Sequence, residues 1–212
     1  MPWITDGGYR VLKQEHEQSC GYCCIGMVLN LVDQRQDTES SLVATGRQIG
    51  GAGAYDRAAK DRVGAVRTFI VDAAEEQSGK LPHWGSGTYG DHLAQVLREG
   101  FHMNAKYHAG KSTGDMKGAM RAVSANQYMI ALVLWNGSGG GGHWVLVTSR
   151  ATRGWGSASN YTVLDPGGSV VTNRGSTTYT AANGATGNFA GYYVLVQGRA
   201  ASKGVTGGVK VM

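Results

Sequence analysis

Cysteine is scarce in this 212-residue chain and confined to one place: all three, Cys20, Cys23 and Cys24, fall within five residues. No disulfide can therefore join distant parts of the fold, which excludes a secreted disulfide scaffold. Charge of one sign never accumulates. Lysine and arginine are scattered, no basic run reaches five residues, and the net charge of +5 is modest, so nucleic-acid binding has no support. No stretch approaches the roughly 18 apolar residues of a membrane span. The start, Met1-Pro2-Trp3-Ile4-Thr5-Asp6, has neither the charged beginning nor the apolar core of a secretory signal. The expectation is a soluble protein, cytoplasmic or delivered into a target cell by a route the chain does not encode, with no membrane or nucleic-acid partner. Glycine, by contrast, is abundant, but its 34 copies keep no three-residue period, which excludes a collagen-like chain. With 42% hydrophobic residues, the chain is long and apolar enough for one domain with a real core.

Residues 1–13 read as a loop entering a short strand at Tyr9–Leu12. From Cys20, apolar residues recur at Cys24, Met27, Val28 and Leu31, the spacing of one buried helix face. Ser19 is the expected N-cap. A weaker helical pattern runs over 36–49, and 50–88 reads as a partly helical excursion flanking a cleft. A helix is predicted over 89–99 with Gly100 as its stop, then a strand from His102 to Tyr107, a helix around 113–124 and a buried strand from Tyr128 to Trp135. After the glycine-rich loop 136–142, strands are predicted at 143–149, 160–165 and 192–197, with a disordered tail over 198–212. Helices first and strands later imply an α+β fold rather than a wound parallel sheet.

Three residues stand in settings that suit thiol chemistry. Cys20 opens a helix, whose unpaired N–H groups and positive dipole end favour a thiolate. His143 opens a strand directly after a run of glycines and can take the thiol proton. Asp165 ends another strand and can hold the second ring nitrogen of the histidine. The Cys20 N–H and the side-chain amide of Gln14 supply donors for a developing oxyanion. Each residue also has a plainer reading. Asp165-Pro-Gly-Gly is a turn signal in itself, Gln14 fits an exposed strand end, and Cys23 and Cys24 read as small buried hydrophobes. The other histidines, 16, 83, 92, 102 and 108, read as structural hydrogen-bonders. No cofactor and no metal are called for.

Together these motifs resemble the papain-like cysteine peptidases, and within them the bacterial peptidase domains that process double-glycine bacteriocin leaders and related effector toxins. The resemblance spans residues 9 to 197. Gln14-Glu-His-Glu-Gln-Ser-Cys20-Gly21 resembles the family's glutamine-to-cysteine box. Gly87-Thr88 with the helix after it resembles the family's middle helix. His143-Trp-Val-Leu-Val, Val163-Leu-Asp165-Pro-Gly and Gly191-Tyr-Tyr-Val-Leu-Val resemble its histidine, third-residue and closing strands. The resemblance implies an N-terminal helical part packed on a C-terminal antiparallel sheet, a single peptidase domain over 1–197, Cys20 as nucleophile, His143 as base, Asp165 as orienter and Gln14 as oxyanion donor. It also implies a protein or peptide substrate, small residues such as Gly-Gly before the cleaved bond, and a cognate inhibitor or immunity protein. Ser19 departs from the acidic residue common before the cysteine. No transporter domain follows, and both 50–86 and the 150–159 loop are long for the family.

Other readings compete less well. Cys20-Gly-Tyr-Cys23 is a C-x-x-C, but a thioredoxin-like site needs an apolar strand just before it, where this chain has Lys13-Gln-Glu-His-Glu-Gln-Ser19. The three cysteines lack a second pair to complete a zinc site. Ala105-Lys-Tyr-His-Ala-Gly-Lys-Ser112 matches a phosphate loop only formally, since its bulky residues hinder a backbone wrap. The same Cys-His-Asp set also serves glutamine deamidases and transglutaminases, because all pass through a thioester.

Overall fold

The computed structural model describes residues 2–16, 19–50, 88–123, 126–136, 142–151, 160–174 and 177–198. Most of the excursion expected over 50–88, the 152–159 loop and the tail beyond Gly198 lie outside the described residues. Among the described residues, helices and a wholly antiparallel seven-stranded sheet make an α+β fold.

The chain begins with a hairpin of β1 (Trp3–Asp6) and β2 (Tyr9–Leu12), where only the second strand was expected. Gly7 and Gly8 sit at φ 53° and 81°, the left-handed pair that a two-residue turn with native strand twist requires. The first helix, α1 (Cys20–Asp33), is buried from Cys20 to Leu29 without a break. It has no polar face there, as expected of a helix enclosed on all sides. One side meets the sheet. The other meets α2 (Glu39–Gly50) and α3 (Gly90–Gln95). Full burial of each large aliphatic side chain contributes roughly 1.5–3 kcal/mol, so α1 is a principal anchor of the fold. Ser19 precedes it without capping it: its hydroxyl donates to the His16 carbonyl at 2.8 Å and makes no cap bond.

The helix expected over 89–99 changes pitch. After α3 the chain widens into a π-turn over Val96–Gly100. Gly100 belongs to that turn rather than standing beyond it. A Cβ there would come within 2.8 Å of Ile49 Cδ1 and Thr45 Cγ2, so the glycine lets α2 approach. Reversal falls instead to His102, at φ 56°, and the next strand, β3 (Asn104–His108), starts two residues later than expected.

Helix α4 (Thr113–Ala122) opens on a capping box between Ser112 and Asp115. Strands β4 (Gln127–Trp135), β5 (Gly142–Ala151) and β6 (Asn160–Asp165) follow as expected within a residue or two. Sequence reasoning missed β7 (Ser169–Arg174), β8 (Thr178–Thr180) and the first half of β9 (Thr186–Gln197). These stretches are rich in Thr, Asn and Gly and carry little apolar alternation. The sheet order is β3-β9-β4-β5-β6-β7, with β8 on β9. Alternation divides the core. Ile130, Leu132, Trp144, Leu146 and Val194 face α1, α2 and α3, whereas Met129, Val133, Val145, Val147 and Val163 face α4 and β8.

Candidate active site

Antiparallel pairing of β5 and β6 brings the start of one to the end of the other. His143, at the start of β5, and Asp165, at the end of β6, therefore share one edge of the sheet. His143 Nε2 lies 2.7 Å from Asp165 Oδ1, and the two side chains are only 12% and 5% exposed. Helix α1 packs on β5 with its first residue at the same edge. There the Trp144 N–H donates to Cys20 Sγ at 3.4 Å. One turn further on, Cys24 Sγ donates to the Trp144 carbonyl at 3.4 Å. Two sulfurs of successive turns thus hold the N–H and the carbonyl of one residue of β5 and set the helix start beside His143.

The electrostatics follow from this arrangement. Burial works against a charged His143 ring, but hydrogen bonds to Asp165 and Cys20, with their charges, outweigh it and push the imidazole up to about 10. Burial likewise works against an ionised Asp165, and the His143, Tyr179 and Gly167 donors together hold its carboxyl below the ordinary value. Burial, followed by the charges of Glu39 and Cys20, raises the Cys23 thiol. Burial, with the charges of Cys20 and Cys23, raises Cys24. Both thiols are thereby held in the protonated form.

Gln14 follows β2, and its N–H donates to the Pro166 carbonyl at 2.8 Å, fastening the segment before Cys20 to the turn that carries Asp165. Its side-chain amide donates to the His16 carbonyl at 3.2 Å. The loop is held from beneath by Glu39, which is 1% exposed. Glu39 accepts from the Glu15 N–H at 2.7 Å and the His16 N–H at 3.2 Å, with His16 Nδ1 at 3.3 Å.

Several residues at the site carry no sequence signal that could have found them. Trp135, at the end of β4, stacks on the His143 ring with centroids 5.5 Å apart. Tyr179, from the short strand β8, donates its hydroxyl to Asp165 Oδ2. The Gly167 N–H donates to Asp165 Oδ1 at 2.7 Å, so the Asp165-Pro-Gly-Gly turn and the contact with His143 share one oxygen. Of the histidines read as structural, His92 pairs with the Tyr22 hydroxyl at 3.0 Å and His108 stacks on Tyr193, while His83 lies outside the described residues.

Trp144, whose N–H meets Cys20, also lines a small pocket with Thr88, Tyr89, Gly90, Tyr107, Leu132 and Tyr192. The Trp144 indole N–H donates to the Thr88 carbonyl at 2.8 Å.

Neither a protein-family model nor a curated protein matches the sequence. Among solved structures, the crystal structure of the Pseudomonas avirulence protein AvrPphB is similar over 84% of this chain and 92% of that one, at 10% identity and a TM-score of 0.34. A likeness of that degree transfers no chemistry, and the functional reading rests on the geometry of Cys20, His143 and Asp165.

Proposed function

We propose that this chain is a papain-like cysteine endopeptidase, one domain over residues 1–197, acting on a protein or peptide. The observation that carries the reading is the convergence of a helix-start sulfur, an imidazole and a buried carboxylate at one sheet edge, with the ring fixed at 2.7 Å by Asp165. Asp165 occupies Nε2 and leaves Nδ1 to face the sulfur. In the first step the Cys20 thiolate attacks the substrate carbonyl carbon. The resulting oxyanion is met by the Cys20 N–H and the Gln14 amide, since donors placed for that charge are typically worth about 10²–10³ in rate. His143 Nδ1 gives its proton to the leaving amine as the C–N bond breaks, and a thioester remains. A water then loses a proton to Nδ1, attacks the thioester carbon, and releases the acid with the thiolate restored.

Substrate side chains enter the cleft beside Trp144. Its aromatic walls suit small or slender apolar residues, consistent with Gly-Gly before the cleaved bond. A cleft insensitive to replacing those glycines with leucine would overturn that preference. The biological role we propose is that of a bacterial effector or toxin restrained by an immunity protein. Wild type no more toxic than Cys20→Ala when expressed in a bacterial cytoplasm would remove it.

The deciding experiment is mass spectrometry of a bacterial lysate treated with wild type or Cys20→Ala. New peptide N-termini generated only by wild type are expected. Glutamine-to-glutamate conversion without new termini would move the assignment to a deamidase on the same scaffold.

A further inference from the structure

Asp165 receives more donors than a pairing with His143 needs. Oδ1 takes both the His143 ring and the Gly167 N–H, each at 2.7 Å. Oδ2 takes the Tyr179 hydroxyl. A carboxylate bonded through one oxygen still swings about its own axis, whereas one bonded through both has its plane fixed. We infer that Tyr179 is a positioning residue for catalysis, locking the plane and the ionised state of Asp165 so that His143 stays aimed at Cys20. This rests on the peptidase reading above.

The surrounding architecture fits a dedicated part. Strand β8 is three residues long, and of these only Tyr179 is buried. Its ring lies against Trp135 and Phe189, at centroid distances of 5.9 and 6.1 Å. The strand is moored on both sides: Asn173 Nδ2 of β7 donates to the Thr178 carbonyl, and the Phe189 N–H of β9 donates to the Thr177 carbonyl, both at 2.9 Å. A buried tyrosine hydroxyl needs some acceptor, but a backbone carbonyl would serve for that alone. Here the bond is charge-assisted, the stronger kind, and it ends on the carboxylate that holds the proposed base. Among the described residues, the ionisable groups acting on Asp165 include His143 from β5, Tyr179 from β8 and, at longer range, Cys24 from α1. Donors to a carboxylate favour its ionised form. Removing one therefore lets Asp165 take a proton at higher pH, and a neutral Asp165 releases the imidazolium.

The test is the rate of Cys20 alkylation by iodoacetamide against pH, with melting temperatures measured alongside. Tyr179→Phe keeps the ring and removes the donor. It is expected to move the acid limb of the alkylation profile up by as much as about one pH unit, with the slowing confined to the carboxyl's own range, near pH 4 and below, and near parity at pH 8. In an Asp165→Ala background it is expected to add nothing. Asn173→Ala, which unmoors β8 without touching Asp165, is expected to move the acid side in the same direction. Equal slowing at pH 4 and pH 8, no slowing, or an undiminished effect without Asp165 would overturn the role of Tyr179 and leave the peptidase reading standing. A wild-type thiol no more reactive at pH 5 than free cysteine would overturn the peptidase reading, and this role with it.

Discussion

Trp144 meets Cys20 through its backbone and the Thr88 carbonyl through its indole, so one residue joins the Cys20 sulfur to the wall of the pocket. Opposite it stands Gly90. A Cβ built there would fall 2.2 Å from Tyr107 Cε2 and 3.1 Å from Trp144 Cη2. One methyl group must push the Tyr107 ring aside, and the ring can move only into the cleft or away from its packing. Gly90→Ala is therefore expected to lower peptide cleavage about tenfold, the usual scale for one methyl group in a tight apolar pocket. Alkylation of Cys20 by iodoacetamide should stay unchanged, because the added methyl group meets Tyr107 and Trp144 rather than the sulfur. Slowing of both in parallel would mean that the substitution disturbs the sulfur rather than the cleft.

At the scale of elements, the segment before α1 is braced by a carboxylate from the start of α2. Glu39 accepts two backbone N–H groups and contacts the His16 ring from a position only 1% exposed. Leaving a buried polar group without its partner costs about 1–3 kcal/mol. Glu39→Ala is expected to lower unfolding stability in urea by about that amount and to reduce cleavage further by loosening the Gln14–Cys20 segment. Glu39→Gln, which keeps one acceptor oxygen, should lose less of both. A melt unaffected by Glu39→Ala would show that the loop holds itself. The sequence made this region only half legible. Gln14, Cys20, His143 and Asp165 announce themselves by where they stand: at a helix start, beside glycines, before Pro-Gly. Glu39 looks like any acidic residue early in a helix. Tyr179 and Trp135 act across 14 and 8 residues of chain on partners that pairing alone brings near. The same holds for the elements. Strong apolar alternation made β4 to β6 readable, whereas β7, β8 and the start of β9 owe their form to neighbours. α2 lies close against Gly100 in the π-turn, a tertiary contact that no local pattern carries.

Across the whole molecule the site is held by opposite shifts of two groups, and their pH consequences differ in sign. His143 is raised from its ordinary value to about 10 by Asp165 and Cys20 against the opposing effect of burial. Its contribution to stability is fully present below the ordinary histidine value, about 6.5. It is lost progressively as pH rises toward about 10, because over that interval the folded chain keeps a proton that the unfolded chain has released. Asp165 is depressed. Its contribution is present above the ordinary carboxylate value and lost as pH falls through its lower folded value. Together the pair stabilises best from about pH 5 to 6.5. Above that window the expected slope from His143 is on the order of 1 kcal/mol per pH unit. Urea unfolding of wild type and Asp165→Asn from pH 6.5 to 10 measures it. Lysines and exposed tyrosines titrate alike in both proteins and cancel in the difference. Removing the carboxylate takes away a principal cause of the raised imidazole, so the variant should be less stable at pH 6.5 and decline more gently, with the two curves converging toward pH 10. Parallel curves would mean that Asp165 does not hold the charge on His143, and with that the imidazolium poised beside Cys20 would lose its physical support.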